Sequence, residues 1–464
     1  MSAETMEKTV TKTAPGPSAL SAFGALRRVQ RDPIGFLGEG WRKYGDLVRF
    51  KIGPVENYLV ADPEAVQQVL QTNNRNYNKQ TTDNRKLKLA LGEGLVTSDG
   101  DFWRRQRRIA QPAFHRERLQ KFAGTITAST DAMSRAWRTN AESGRPLDVA
   151  HEMMRLTLEI ILQTMFSTDG SARAEELGGY VSTAIRYVND RVTSLTSLFE
   201  FPERLPTARN REFRHAIAEL DRFIFDVIKA RRNGAAQPGD LLTMLMEARD
   251  LDTGETMTNQ QLRDEAITIF SAGHETTANA LAWTFYLLST HPEVMSRVRT
   301  EVDRVLGERT PTVEDLAKLE YTGRVIKESM RLYPPVWIIP RNTLCADVLS
   351  GYDIPAGAQI YISPFLTHRH PRVWENPEGF DPDRFLPERI GALPRYAYLP
   401  FGGGPRMCIG NNFAMMEAQL ILASVTQQFR LELVPGQRVE LEPLVTLRPK
   451  HGIEMTVHSQ RSAS

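Results

Sequence analysis

Apolar residues recur at three- and four-residue spacing through much of the chain between residues 62 and 330, the pattern of helices that bury one face. MMRLTLEIILQTMF (153–166), EFRHAIAELDRFIFDVIKARR (212–232) and PEVMSRVRTEVDRVLG (292–307) carry it most clearly. Alternation is confined to short segments. Residues 47–60, LVRFKIGPVENYLV, read as strand, turn and strand about a Gly-Pro break. After residue 332 the chain turns rich in Pro and Gly, with strand candidates at GAQIYIS (357–363) and IEMTVH (453–458). The expected fold is mainly α with small β-sheets (α+β), the sheets drawing on both ends of the chain. Such interleaving predicts one domain over 19–458, with loose tails at 1–18 and 459–464.

The longest helical run is NQQLRDEAITIFSAGHETTANALAWTFYLLST, at about 259–290. Thr258 and Gln261 have capping-box spacing at its start, and Pro292 lies just beyond its end. Such a helix is on the order of 45 Å long, enough to cross a domain. Its centre breaks the apolar pattern with Ala272, Gly273, His274, Glu275, Thr276 and Thr277. Glycine costs a helix about 1 kcal/mol relative to alanine, and a buried mid-span charge costs more unless compensated. Two readings are open. Gly273 permits close helix packing while Glu275 pairs locally, or the small residues make room for a flat ligand beside an acid and an alcohol. A zinc-protease helix is excluded, because it needs a second His four residues on and position 278 is Ala.

Composition narrows the classes. A net charge of +2 over 464 residues gives no global case for a nucleic-acid partner. Two cysteines make no disulfide framework, which points to a reducing, cytoplasmic setting. The first forty residues hold neither a signal-peptide core nor the roughly 20 apolar residues of a spanning helix, so no stable membrane anchor is expected.

One of those cysteines lies in FGGGPRMCIG (401–410). Most lone cysteines are small buried hydrophobes, and this one could be the same. Upstream, Glu328 and Arg331 in KESMRLYPP are three apart and can pair on one helix face, and FDPDRF brings Arg384. Trp103 and Arg107 in DFWRRQRRIAQPAFH are four apart and share a face. Phe401, Gly404, Arg406, Cys408 and Gly410 fit F-x-x-G-x-R-x-C-x-G at every position. With Glu328-x-x-Arg331, the Ala-Gly-x-Glu-Thr-Thr helix and Arg384, the chain resembles the cytochrome P450 family of haem-thiolate monooxygenases.

The resemblance implies a single-domain P450 fold, with haem b (iron protoporphyrin IX) between the long helix and the cysteine loop. Cys408 would be the axial thiolate ligand of the iron. Phe401 would pack near the sulfur, and Gly410 and Ala272 would allow close approach to the porphyrin. Trp103, Arg107, Arg341 and Arg406 would hold the propionates through charge-assisted hydrogen bonds. Glu275 and Thr276 match the family's acid–alcohol pair, which delivers protons during dioxygen activation. Glu328, Arg331 and Arg384 would form a structural ion-pair triad serving folding and haem retention.

Segments corresponding to the family's substrate contacts bring Leu87, Leu91, Ile269, Phe270, Trp337, Ile338 and Leu444. They are apolar, implying a hydrophobic small molecule such as a fatty acid, terpenoid or steroid. Arg85, Lys86 and Lys88 would be solvated charges or partners of a fatty-acid carboxylate. Arg104, Arg105 and Arg108 leave the Trp103/Arg107 face; they form a solvated face, a nucleic-acid patch or, by the resemblance, a dock for an acidic electron carrier. Without a fused reductase, the expected partners are O2 and a ferredoxin or flavodoxin with its reductase, acting on a monomer. Two rivals remain: a peroxide-driven peroxygenase or isomerase, and a non-enzymatic haem sensor or carrier. The Glu275–Thr276 pair speaks against both.

Overall fold

Alternation in LVRFKIGPVENYLV folds as expected into two paired strands, β1 (Leu47–Ile52) and β2 (Val55–Val60), with Leu47 opposite Val60. The computed structural model describes residues 12–17, 28–52, 55–168, 171–193, 205–234 and 239–460. β2 then runs parallel to a strand from the far end of the chain. Adding β3 (Tyr77–Asn78), β4 (Ile339–Thr343) and β5 (Gln359–Ile362) gives a five-stranded sheet in the order β1-β2-β5-β4-β3.

The tail boundaries need correction. Residues 12–17 lie against this sheet instead of hanging loose: the Arg49 N–H donates to the Pro15 carbonyl at 2.8 Å, and Ala14 is buried. A Cβ on Gly16 would lie only 1.8 Å from the Arg49 carbonyl oxygen, so the contact is tight. The rest of the expected N-terminal tail lies outside the described residues. At the other end Ser459 still belongs to a strand, and the Gln460 N–H donates to the Gln428 carbonyl.

The helices that build the site are α1 (Thr82–Leu91), α2 (Gly100–Ala110), α3 (Val149–Phe166), α4 (Asn259–Thr290), α5 (Glu320–Leu332) and α6 (Asn411–Gln428). Two further amphipathic helices, Ala208–Arg232 and Pro292–Leu306, form where the three- and four-residue spacing places them. Four short strands complete the C-terminal part: β6 (Phe429–Leu433), β7 (Leu441–Pro443), β8 (Leu447–Pro449) and β9 (Glu454–Ser459).

α4 is the axis of the molecule. Both halves of its capping box form: the Gln261 N–H donates to Thr258 Oγ1 and the Thr258 N–H to Gln261 Oε1. Side chains from Leu262 to Leu288 are buried around almost its whole circumference, so its partners lie on every side. α3 packs closest, and Gly273 makes that possible; a Cβ there would meet Ile161 Cδ1 at 3.2 Å.

α6 begins directly after the cysteine loop and is joined to α4 by a buried acid. Glu417 is 1% exposed and hydrogen-bonds Thr277, whose own hydroxyl donates to the Gly273 carbonyl at 3.1 Å. The Thr277 hydrogen bond favours the ionised form of this acid, and burial outweighs it. Burial pushes its pKa from 4.5 up to about 8. Between these values the native state holds a proton that the unfolded chain has lost, so stability is complete below pH 4.5 and falls as pH rises toward 8. Each unit across that window costs about 1.4 kcal/mol. Glu417→Gln keeps the shape and cannot ionise. Denaturant titrations across this range are expected to show the variant gaining stability relative to the native protein as pH rises; parallel curves would contradict the assignment.

Candidate active site

The cysteine loop connects the sheet side of the molecule to α6. The Cys408 N–H donates to the Phe401 carbonyl at 2.9 Å, closing the loop. Gly404 cannot be replaced there: its φ is +64°, and a Cβ would lie 1.8 Å from the Leu70 carbonyl oxygen. The Cys408 side chain opens into an internal cavity of about 940 Å³, and Gly410 lies so close that an added Cβ would touch Sγ at 4.0 Å. Burial raises the thiol pKa, while the Gly410 backbone and the charge of Arg107 pull the other way. The N-terminus of α6 adds partial positive charge next to the sulfur.

Beside the sulfur the cavity wall carries Arg107, Arg341, Arg406 and Lys79. Arg406 lies 4.0 Å over the Trp103 ring, donates to the Ser98 carbonyl and pairs with Asp99. Among the described residues Arg341 bonds only the carbonyl of its neighbour Pro340, and burial together with Arg406 pushes its pKa down to about 10. Burial and the same arginines push Lys79 far below an ordinary lysine, with Asp99 opposing. Burial also lowers Arg107. Arg341, Arg406 and Lys79 thus share one acid, Asp99, while Arg107 stands near Cys408, and an uncompensated buried charge is costly. The group calls for an anion, as the two propionates of a haem would supply, so these residues fit the cofactor. Lys79 has no signature in the sequence, since nothing in YNKQTT distinguishes it from a surface lysine.

α4 brings Ala272, Glu275 and Thr276 to the same cavity. Thr276 donates its hydroxyl to the Ala272 carbonyl at 2.7 Å. Glu275 does not pair locally: it accepts from Thr446 at 2.6 Å, and Thr446 accepts from Asn279 at 3.1 Å. Thr446 comes from the C-terminal hairpin, far away in sequence. Neither it nor Asn279 is identifiable from spacing. His274 turns the other way, bonding the Phe270 carbonyl in the core.

Of the apolar candidates, Leu87, Leu91, Ile269, Trp337, Ile338 and Leu444 line the cavity, and the Trp337 indole donates to the Leu444 carbonyl at 2.8 Å. Phe270 does not, and this corrects the expectation. One residue on a helix is a turn of about 100°, which carries Phe270 from the cavity face into the core, against Phe166 at 6.2 Å.

The triad forms away from the cavity. Arg331 meets Glu328 at 2.7 and 2.8 Å, and Arg384 Nε stands 3.3 Å from Glu328 Oε1. Arg331 also donates to the carbonyls of His368, Pro377 and Gly379, tying α5 to the segment that precedes the cysteine loop. Arg104, Arg105 and Arg108 pair with Asp101, Glu255 and Asp250, so this face is partly neutralised.

A thiol in a glycine loop, a buried cation group and a helix carrying an acid and an alcohol line one cavity. The chain belongs to the cytochrome P450 family, whose model matches residues 14–457. It is 40% identical over 435 residues to cyclooctatin synthase of Streptomyces melanosporofaciens, covering 93% of this chain and 92% of that one. Pentalenene oxygenase of Streptomyces avermitilis is 36% identical over 438 residues, covering 94% and 95%. The crystal structure of the cytochrome P450DA heme domain matches with a TM-score of 0.88 at 27% identity, over 97% and 98% of the two chains. The protein is a haem-iron monooxygenase that takes a hydrophobic substrate, O2 and electrons from redox partners. No described helix is long and apolar enough to cross a membrane.

The triad sets the first test of the site's scaffold. Arg331→Leu strands Glu328, which is fully buried, and is expected to lower stability by about 3–5 kcal/mol. Chemical denaturation of the haem-loaded protein measures it; a loss below about 1 kcal/mol, the scale of a surface pair, would assign the triad no structural weight.

Proposed function

We propose that this monooxygenase hydroxylates a cyclic terpenoid, holding haem b with Cys408 on the iron and its propionates at Trp103, Arg107, Arg341, Arg406 and Lys79. One observation carries the reading: Cys408, the cation group and Glu275–Thr276 share a single cavity whose other walls are largely apolar. The relatives named for cyclooctatin and pentalenene support a compact terpenoid over a linear chain.

The bound haem supplies transfer of one oxygen atom of O2 into a C–H bond. The remaining tasks fall to the chain. Leu87, Leu91, Ile269, Trp337, Ile338 and Leu444 exclude water and hold the substrate's apolar surface within the cavity that Thr276 also lines. Thr276, donating its proton to the Ala272 carbonyl, keeps its oxygen lone pairs available as an acceptor at the wall. Glu275, which lines the same cavity and accepts from Thr446, takes up a proton from solvent and hands it to the Thr276 oxygen, while the Thr276 hydroxyl proton leaves the Ala272 carbonyl and moves into the cavity. The intact pair weighs against peroxide-driven and carrier functions. A ferredoxin or flavodoxin with its reductase supplies electrons at the α2 face, where Arg104, Arg105 and Arg108 stand, to a monomeric cytoplasmic enzyme.

The reduced protein with carbon monoxide is expected to show the thiolate-type Soret band, and Cys408→Ala to lose it. Absence of the band from the native protein would refute the reading. In Thr276→Ala, reductant consumption should continue while product per electron pair falls by about tenfold or more, the lower end of a lost proton-transfer group, and peroxide accumulates. Coupling at the native level would remove Thr276 from proton delivery.

A further inference from the structure

The cavity holds a second polar station, which the haem would not use. Asp83, in the first turn of α1, lines the cavity together with Tyr361 and Gln359 of β5. Tyr361 Oη lies 3.3 Å from Asp83 Oδ2 and 3.2 Å from Gln359 Oε1. A phenol has one proton to give, so with Asp83 ionised one of these two acceptors is left over. Burial holds the Asp83 carboxyl above its ordinary value and outweighs the opposing charges of Lys86 and Arg85. The charges felt by Lys79 are Arg341, Arg406 and Asp99, and those felt by Asp83 are Lys86 and Arg85.

An acid at a helix start is favourable by itself, but such acids are normally solvated. Here the carboxyl and its phenol partner share the cavity wall with apolar residues such as Leu37, Phe50, Leu87 and Trp337, and with Lys86.

We infer that Asp83, Tyr361 and Gln359 receive a hydroxyl group, and that the substrate is a terpenoid already oxygenated once, as an alcohol. The inference rests on the terpenoid monooxygenase reading and narrows it. An alcohol can donate to Asp83 while accepting from Tyr361 or from the Gln359 amide, which uses the surplus acceptor. A bare hydrocarbon leaves it unpaired, and a carboxylate meets Asp83 with like charge. The fatty-acid role weighed for the α1 cations therefore gives way; Lys88 is in any case taken by Glu93 at 2.7 Å. In reaction order, this enzyme follows a step that installs the first hydroxyl on the terpene skeleton.

The test uses the haem-loaded full chain and a panel of cyclic sesquiterpene and diterpene hydrocarbons, each paired with its monohydroxy counterpart, with palmitate as the acid. Binding is read from the Soret shift. At least one alcohol is expected to bind tenfold or more tighter than its parent hydrocarbon, because a site built for a hydroxyl rejects the analogue lacking it. Asp83→Ala and Tyr361→Phe should each bring that ratio to within about threefold, with the carbon monoxide band retained as proof of an intact fold and site. The inference is overturned if no alcohol in the panel exceeds its hydrocarbon tenfold, if palmitate binds tighter than every alcohol, or if the ratio survives both substitutions. Any of these with the thiolate band present overturns the alcohol station alone; loss of the band from the native protein overturns the underlying reading.

Discussion

A single helix, α4, runs through the interior carrying groups that an apolar core cannot hold unaided. Gly273, Glu275, Thr276 and Thr277 interrupt its apolar surface where it borders the cavity. Thr276 is satisfied within α4, at the Ala272 carbonyl, and the other three by other parts of the chain. Ile161 of α3 closes over Gly273, Thr446 of the C-terminal hairpin holds Glu275, and Glu417 of α6 holds Thr277. α6 in turn begins at the cysteine loop, so satisfying the centre of α4 also fixes where Cys408 sits. The architecture around the site follows from the need to compensate polar groups in a medium where each unpaired one is costly.

Charge gives the second constraint. Lys79, Arg341 and Arg406 are gathered near one acid, Asp99, and Arg107 stands near Cys408, with burial lowering the pKa of each. A chain selected for stability alone would not concentrate cations in this way. Bound anionic groups would offset the repulsion, and any ligand that binds only the folded state adds to stability. Haem in such a site acts on folding as well as on chemistry. The cavity therefore has an end made for an anion and, at Asp83 and Tyr361, a separate place made for a neutral donor.

Much of this is legible in the order of residues. The period of apolar positions locates α3, α4 and the helices at 208–232 and 292–306, because that period is imposed by the burial of one face. Thr258 and Gln261 announce their capping box, and the Gly-Pro break its hairpin. The cysteine motif is readable because a glycine loop with a thiol and an arginine at fixed offsets leaves little room for chance. Less is readable at the cavity wall. Ile269 and Phe270 are adjacent and both apolar, and only the packing of α4 against Phe166 shows which one is core.

Local order follows from the chain's own residues: elements, caps, the thiolate loop, the acid–alcohol pair and the Glu328–Arg331 spacing all depend on neighbours within a turn or two. Pairings across long separations come from tertiary packing and from nothing nearer. Thr446 meets Glu275, Glu417 meets Thr277, Tyr361 meets Asp83, and Lys79 joins arginines from other segments. Residues 12–17 settle on the sheet for the same reason. Such contacts leave no local period or spacing, because what selects them is the desolvated group each one satisfies, and that group exists only once the chain has closed around it.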